Sequence, residues 1–134
     1  MRRFALRHQT PFRFSLGDRG EVLGWAYLLR EGYRLLEKNF RCSMGEIDVV
    51  AERDGRLVFV EIKTRKHHHF GLPEEAVHAE KQRRLLRMAE YYLKVSGREE
   101  TPVSLDVLAV TWHEDRDPDF RLIRDAVEVR EAFR

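Results

Sequence analysis

The residues able to do chemistry are concentrated in two short segments, GEID at 45–48 and VEIK at 60–63. Side chains alternate faces along a strand, so Glu46 and Asp48 share one face of the first segment, and Glu61 and Lys63 share one face of the second. The tight-turn pair Asp54-Gly55 lies between them and makes the two strands antiparallel neighbours. Asp48 then lies across from or diagonal to Glu61, within the reach of cross-strand pairs. Two carboxylates and an amine meet.

Acids placed side by side on strands that otherwise read Val, Ile, Leu and Phe are desolvated and repel one another. A divalent cation removes that cost. Mg²⁺ or Mn²⁺ takes hard oxygen ligands, so Asp48, Glu61 and the peptide oxygen of Ile62 form a candidate ligand set. Such an ion lowers the pKa of a coordinated water and stabilises charge on a phosphate, the two requirements of phosphodiester hydrolysis. Lys63 would position or deprotonate the attacking water and offset phosphate charge. Alone, Glu-x-Lys is common on amphipathic strands, where the two side chains meet each other or solvent. The GEID strand, the tight turn and the apolar strand carrying the triplet together favour a site.

Around these segments the pattern predicts a helix over Arg19 to Glu31, with Val22, Ala26 and Leu29 at helical spacing and Gly32 as its cap. Tyr33 to Phe40 reads as a strand, Arg41 to Gly45 as a loop, and GEIDVVAE as a strand in which Ile47, Val49 and Ala51 alternate with polar partners. LVFVEIKT is almost continuously apolar up to Glu61, as a central strand covered on both faces must be. A polar loop from Arg65 to Leu72 ends at Pro73. A second helix follows, with Leu85, Met88, Ala89, Tyr92 and Leu93 on one side and Gly97 at its stop. VSLDVLAVTW is a further strand, His113 to Pro118 a loop and Phe120 to Ile123 a short return strand; the tail from Asp125 can be helical. The order predicts a layered α/β domain, a mixed sheet flanked by helices.

A chain of 134 residues, 43% hydrophobic, buries one core, so a single domain is expected. No apolar run is long enough to cross a bilayer, and the N-terminal residues lack the continuous apolar segment of a secretory signal; a cytoplasmic protein is expected, with no membrane partner. The single cysteine, Cys42, excludes an internal disulfide. Net charge is only +2, yet residues 1 to 97 hold 19 Lys+Arg against 13 Asp+Glu and the remainder 6 against 10. Such a distribution suits either a polyanionic partner or a solvated surface of mixed charge.

GEIDVVAERDGRLVFVEIKTR resembles the signature of the YraN family, placed in the PD-(D/E)XK superfamily. The likeness extends to Arg19-Gly20-Glu21 and EGYRLLEKNFRC before the signature, and to FGLPEEAV, EKQRRL and LDVLAV after it, spanning about residues 19 to 111. It implies a restriction-endonuclease-like (tRNA endonuclease-like) three-layer fold similar to that of Holliday-junction resolvases, with residues 1–18 as an extension before a domain over 19–134. It implies Asp48 and Glu61 as metal ligands, Lys63 as the catalytic lysine and Glu21 as an auxiliary acid from the first helix. Glu21 also suits an exposed acid in a helix's first turn. Gln82 matches a Lys-Gln pair of the family. With Lys81, Arg83, Arg84 and Arg87, and with Arg65 at the end of the signature strand, it would reach phosphates of bound nucleic acid, unless these side chains form the solvated face of a helix. His78-Ala79 stands where family members commonly have Thr-Pro, and the tail after Ile123 departs from the usual ending.

The functional expectation is a Mg²⁺- or Mn²⁺-dependent endonuclease acting on nucleic acid, DNA more than RNA and branched or damaged more than plain. The alternative is a non-catalytic nucleic-acid-binding module of a repair or DNA-processing assembly. A homodimer is expected by analogy with junction-cutting folds. His67, His68 and His69 read as a loop near substrate, since three successive residues rarely face one ion. Trp25 and Trp112 read as core or half-buried aromatics; Asp106, inside a core strand, could belong to the site or as easily satisfy a neighbouring backbone, and is left out of the candidate set.

Overall fold

The computed structural model describes residues 16–66 and 79–127. The elements run α1 (Leu16–Arg30), β1 (Arg34–Cys42), β2 (Gly45–Arg53), β3 (Arg56–Arg65), α2 (Ala79–Ser96), β4 (Val103–Thr111) and β5 (Asp119–Val127). The strands form one sheet in the order β1-β2-β3-β4-β5, parallel only between β3 and β4. That mixed sheet follows from chain economy: short turns join the antiparallel neighbours, whereas the parallel pair needs a crossover, which contains α2.

The helices cover opposite faces. Leu85, Met88, Ala89, Tyr92 and Leu93 of α2 pack on Ile47, Val50, Leu57, Phe59, Leu105 and Val107. Leu28 and Trp25 of α1 pack on Val49, Ala51, Val58, Val60, Ile62, Leu108 and Val110. The result is a three-layer α/β/α domain, as expected of a restriction-endonuclease-like fold. The continuous apolar run of β3 is explained directly, because both of its faces are covered and its neighbours β2 and β4 close its edges.

α1 approaches β3 closely because it presents glycine there. A Cβ on Gly20 would overlap Thr64 Oγ1 and stand 2.7 Å from Thr64 Cβ, and one on Gly24 would stand 3.0 Å from Ile62 Cδ1. At the far end of the helix Gly32 takes φ 94°, and the Tyr33 and Gly32 amides donate to the Leu28 and Leu29 carbonyls, closing the last turn.

Several boundaries differ from the sequence reading. α1 extends back to Leu16. β1 continues to Cys42, which pairs with Gly45, so Ser43 and Met44 are the whole turn where a loop over 41–45 was expected. Asp54 and Gly55 both have positive φ, 54° and 76°, as the two-residue hairpin turn requires. β5 runs on through Val127, so residues 125–127 belong to a strand and not to a helix; within it Asp125 takes φ 51° at a register shift and donates its amide to Asp106 Oδ1 at 3.0 Å. Asp106 also accepts from Tyr33 Oη at 2.8 Å and Ser104 Oγ at 2.6 Å. It is a buried clamp between β4, β5 and the end of α1. The expected loop with His67, His68 and His69, Pro73, the start of the second helix before Ala79, most of the N-terminal extension and the tail beyond Val127 lie outside the described residues.

Candidate functional site

The alternation expected of Ile47, Val49 and Ala51 breaks at Asp48. Ile47 joins the core beneath α2, while Val49 and Ala51 join the core beneath α1. The cause lies in the ladder. β2 and β3 pair from Arg53↔Arg56 up to Val49↔Val60 and then stop, and the Ile62 amide donates to Asp48 Oδ2 at 2.8 Å. A side-chain carboxylate has replaced the backbone acceptor, which satisfies the amide while letting β2 leave the ladder. In an extended strand the N–H and C=O of one residue point to the same side. The Ile62 carbonyl therefore also faces β2 beyond the last ladder pair, next to Asp48.

Glu61 lies one residue earlier, on the face that carries Leu57 and Phe59 toward α2, and is only 9% exposed. Lys81, in the first turn of α2, meets it: Nζ is 2.5 Å from Glu61 Oε2. The amine that pairs with Glu61 is thus Lys81. Lys63 is half-buried two residues along the same face, and no described carboxylate is within ion-pair distance of it.

Burial pushes the Asp48 carboxyl up to about 7 from an ordinary 3.8; the neighbouring Glu61 charge adds to the rise, the Ile62 amide opposes it, and Glu21 and Glu46 add smaller repulsions. Glu21, on α1, is raised as well, first by burial and then by Glu46, Asp18 and Glu61, with Arg41 opposing. Four carboxylates from α1, β2 and β3 therefore act on one another at the end of the β2–β3 ladder. Asn39 stands between two of them. It lies opposite Asp48 in the β1–β2 register, and with its amide nitrogen turned inward it donates to Glu21 Oε1 at 3.3 Å and to Glu46 Oε2 at 3.2 Å. Arg41 adds an ion pair to Glu46 at 3.2 Å.

Glu21, Asp48 and Glu61 lie near enough for their charges to act on one another, and the Ile62 amide donates to Asp48. Lys81 is held by Glu61 and is not part of a solvated face. Arg84, three residues on, lays its stem beside Gly45 at the β1–β2 turn, while Gln82 is half-buried beside Lys81. Arg65 ends β3 on the face of Glu61 and Lys63, and its carbonyl accepts from the Trp112 amide at 2.7 Å. Asn39, Arg41 and Glu46 were missing from the candidate set. Only Glu46 carried a signal, its period-two spacing from Asp48.

Among the described residues no three Asp, Glu, His or Cys side chains gather closely enough to hold an ion by themselves. A ligand set here would therefore have to rest on two carboxylates, Asp48 and Glu61, with the Ile62 carbonyl and water as further oxygens, a composition suited to a hard ion that keeps part of its hydration. The observation that fits an ion is the crowding of acids: Asp48, half-buried and held by the Ile62 amide, has its carboxyl raised to about 7 by desolvation and by the neighbouring Glu61 charge, a cost that a cation would relieve.

Residues 20–110 match the model of the family described as Uncharacterised protein family UPF0102, also known as YraN. The chain belongs to this family. A UPF0102 protein of Clostridium perfringens strain 13 is 40% identical over 116 residues, covering 86% of this chain and 95% of its own length. One from Symbiobacterium thermophilum is 44% identical over 111 residues, covering 83% and 94%, and one from Moorella thermoacetica is 45% identical over 101 residues, covering 75% and 84%. Every residue of the site, from Glu21 to Arg84, falls inside the segment that matches UPF0102. No helix among the described residues of this UPF0102 chain is long and apolar enough to cross a membrane.

Proposed function

We propose that the protein is a divalent-metal-dependent endonuclease that hydrolyses phosphodiester bonds of structured nucleic acid, DNA in preference to RNA. The observation that carries this reading is the pair of neighbouring acids, half-buried Asp48 and buried Glu61, whose charges oppose each other at the point where β2 leaves β3. Asp48 Oδ1, Glu61 and the Ile62 carbonyl would hold Mg²⁺ or Mn²⁺. When bound, the ion supplies Lewis acidity to water and to a phosphate oxygen. Ile62 N–H fixes the Asp48 carboxylate in place, so little reorganisation is needed on loading. The Lys63 ammonium orients the attacking water or offsets charge on the phosphate. Glu21, its proton affinity raised by burial and by Glu46, is placed to take up a proton. Arg65, Gln82 and Arg84 border the site on β3 and α2 and would bind flanking phosphates.

The test is incubation of the full chain with DNA and RNA duplexes, forks, junctions and single strands, with and without Mg²⁺ or Mn²⁺, beside Glu61→Ala. Metal-dependent cleavage lost in the variant supports the enzyme. The Lys81–Glu61 ion pair favours a second reading, a non-catalytic nucleic-acid-binding module of a repair or DNA-processing assembly, because it neutralises Glu61 without metal. Binding that weakens steeply with salt and yields no product on any substrate would select that reading.

A further inference from the structure

Lys81 and a metal ion have a claim on the same carboxylate. Lys81 Nζ lies 2.5 Å from Glu61 Oε2, and both side chains are largely covered, 19% and 10% exposed. Charge-assisted hydrogen bonds of this kind, shielded from water, are among the stronger polar contacts in a protein. An ion taking the other oxygen of Glu61 would bring a doubly charged cation close to the ammonium in a partly desolvated pocket, where repulsion is poorly screened. One of the two cations has to withdraw. The metal would also be anchored by Asp48 and the Ile62 carbonyl, whereas Lys81 sits at the end of a flexible four-carbon stem in the first turn of α2 and can leave without moving the helix.

We infer that Lys81 is the resident counter-ion of Glu61 in the metal-free protein, and that it is exchanged for the divalent ion on loading, an inference that rests on the metal-site reading above. Two consequences separate this from a purely structural ion pair. Removing the ammonium destabilises the metal-free protein, because Glu61 is left buried without a positive partner, yet it strengthens metal binding, because nothing then has to be displaced. The freed ammonium also stands beside the loaded site, where a phosphate would meet it, so Lys81 serves one anion before loading and another after it.

The experiment is calorimetric titration of Mn²⁺ into the full-length protein and its Lys81→Gln, Lys81→Arg and Glu61→Gln variants, with melting curves in chelator and in saturating Mn²⁺. Lys81→Gln is expected to bind Mn²⁺ about tenfold more tightly than wild type, the scale of one hydrogen bond to a charged group no longer given up. Lys81→Arg retains the charge and is expected to bind no more tightly than wild type. Lys81→Gln should melt below wild type in chelator and recover most of the difference in Mn²⁺. Unchanged or weaker Mn²⁺ affinity in Lys81→Gln, with binding still lost in Glu61→Gln, would overturn the exchange and leave the metal site standing. Failure of wild type and Lys81→Gln alike to bind millimolar Mn²⁺ would overturn both.

Discussion

The Ile62 amide donates to Asp48 Oδ2 across 2.8 Å, so the acid of β2 is held by the backbone of β3. Glu61 precedes the donor in the chain. The same peptide segment thus positions both acids, one through its amide and one through its side chain, and so places the Glu61 charge where it adds to the rise that burial imposes on Asp48.

Asp48 links stability to pH. Its ordinary value is 3.8 and its folded value about 7, so between these the native protein keeps a proton that the unfolded chain releases. The stabilisation is complete below the unfolded value and is lost as pH rises through the folded one. In chelator, the urea midpoint is expected to fall from pH 4 to pH 7 more steeply for wild type than for Asp48→Asn. Equal slopes in the two proteins would contradict the shift.

Asn39 combines a left-handed backbone, φ 58°, with an amide that separates Glu21 from Glu46. Asn39→Ala removes the amide and also places a Cβ residue with no local hydrogen bond in a conformation that costs roughly 1–2 kcal/mol. Asn39→Gly removes only the amide. Urea unfolding is expected to rank stability as wild type, then Asn39→Gly, then Asn39→Ala. If Ala equals or exceeds Gly, the backbone at this position is not strained in the way its dihedral implies.

Gly20 sets the distance of α1, and with it Glu21, from β3. Gly20→Ala drives a methyl group into Thr64 and is expected to cost about 1–3 kcal/mol, the usual range for overpacking. Thr64→Ala in the same chain removes Oγ1 and Cγ2 but leaves the Cβ, so it should recover part of the loss and no more. Strictly additive effects in this double-mutant cycle would show that the two residues do not touch.

Much of the scaffold was legible in the order of residues. The unbroken apolar run of β3 required cover on both faces, Asp54-Gly55 required a tight hairpin, and Leu85, Met88, Ala89, Tyr92 and Leu93 marked the inner face of α2. The convergence of Asp48 and Glu61 followed from that hairpin. Contacts made across layers were not legible. Lys81 belongs to a basic run that a helical wheel cannot distinguish from a solvated stripe, and only the docking of α2 over β3 turns it onto Glu61. Asn39 looks like any polar residue of a strand, because its positive φ is imposed by tertiary structure. The alternation of Ile47 with Val49 failed because one side chain, Asp48, substitutes for a backbone acceptor, an event that period-two patterning does not represent. At the other end of the sheet Asp106 read as a lone acid in a core strand until Tyr33, 73 positions away in the chain, supplied its donor.

The most direct test is a crystal of the full-length protein soaked in Mn²⁺, with anomalous scattering used to place the ion. A single strong peak is expected at bonding distance from Asp48 Oδ1, Glu61 and the Ile62 carbonyl. A saturating soak that leaves this position empty, with the Asp48 and Glu61 carboxylates pointing away from each other, would contradict a shared metal site.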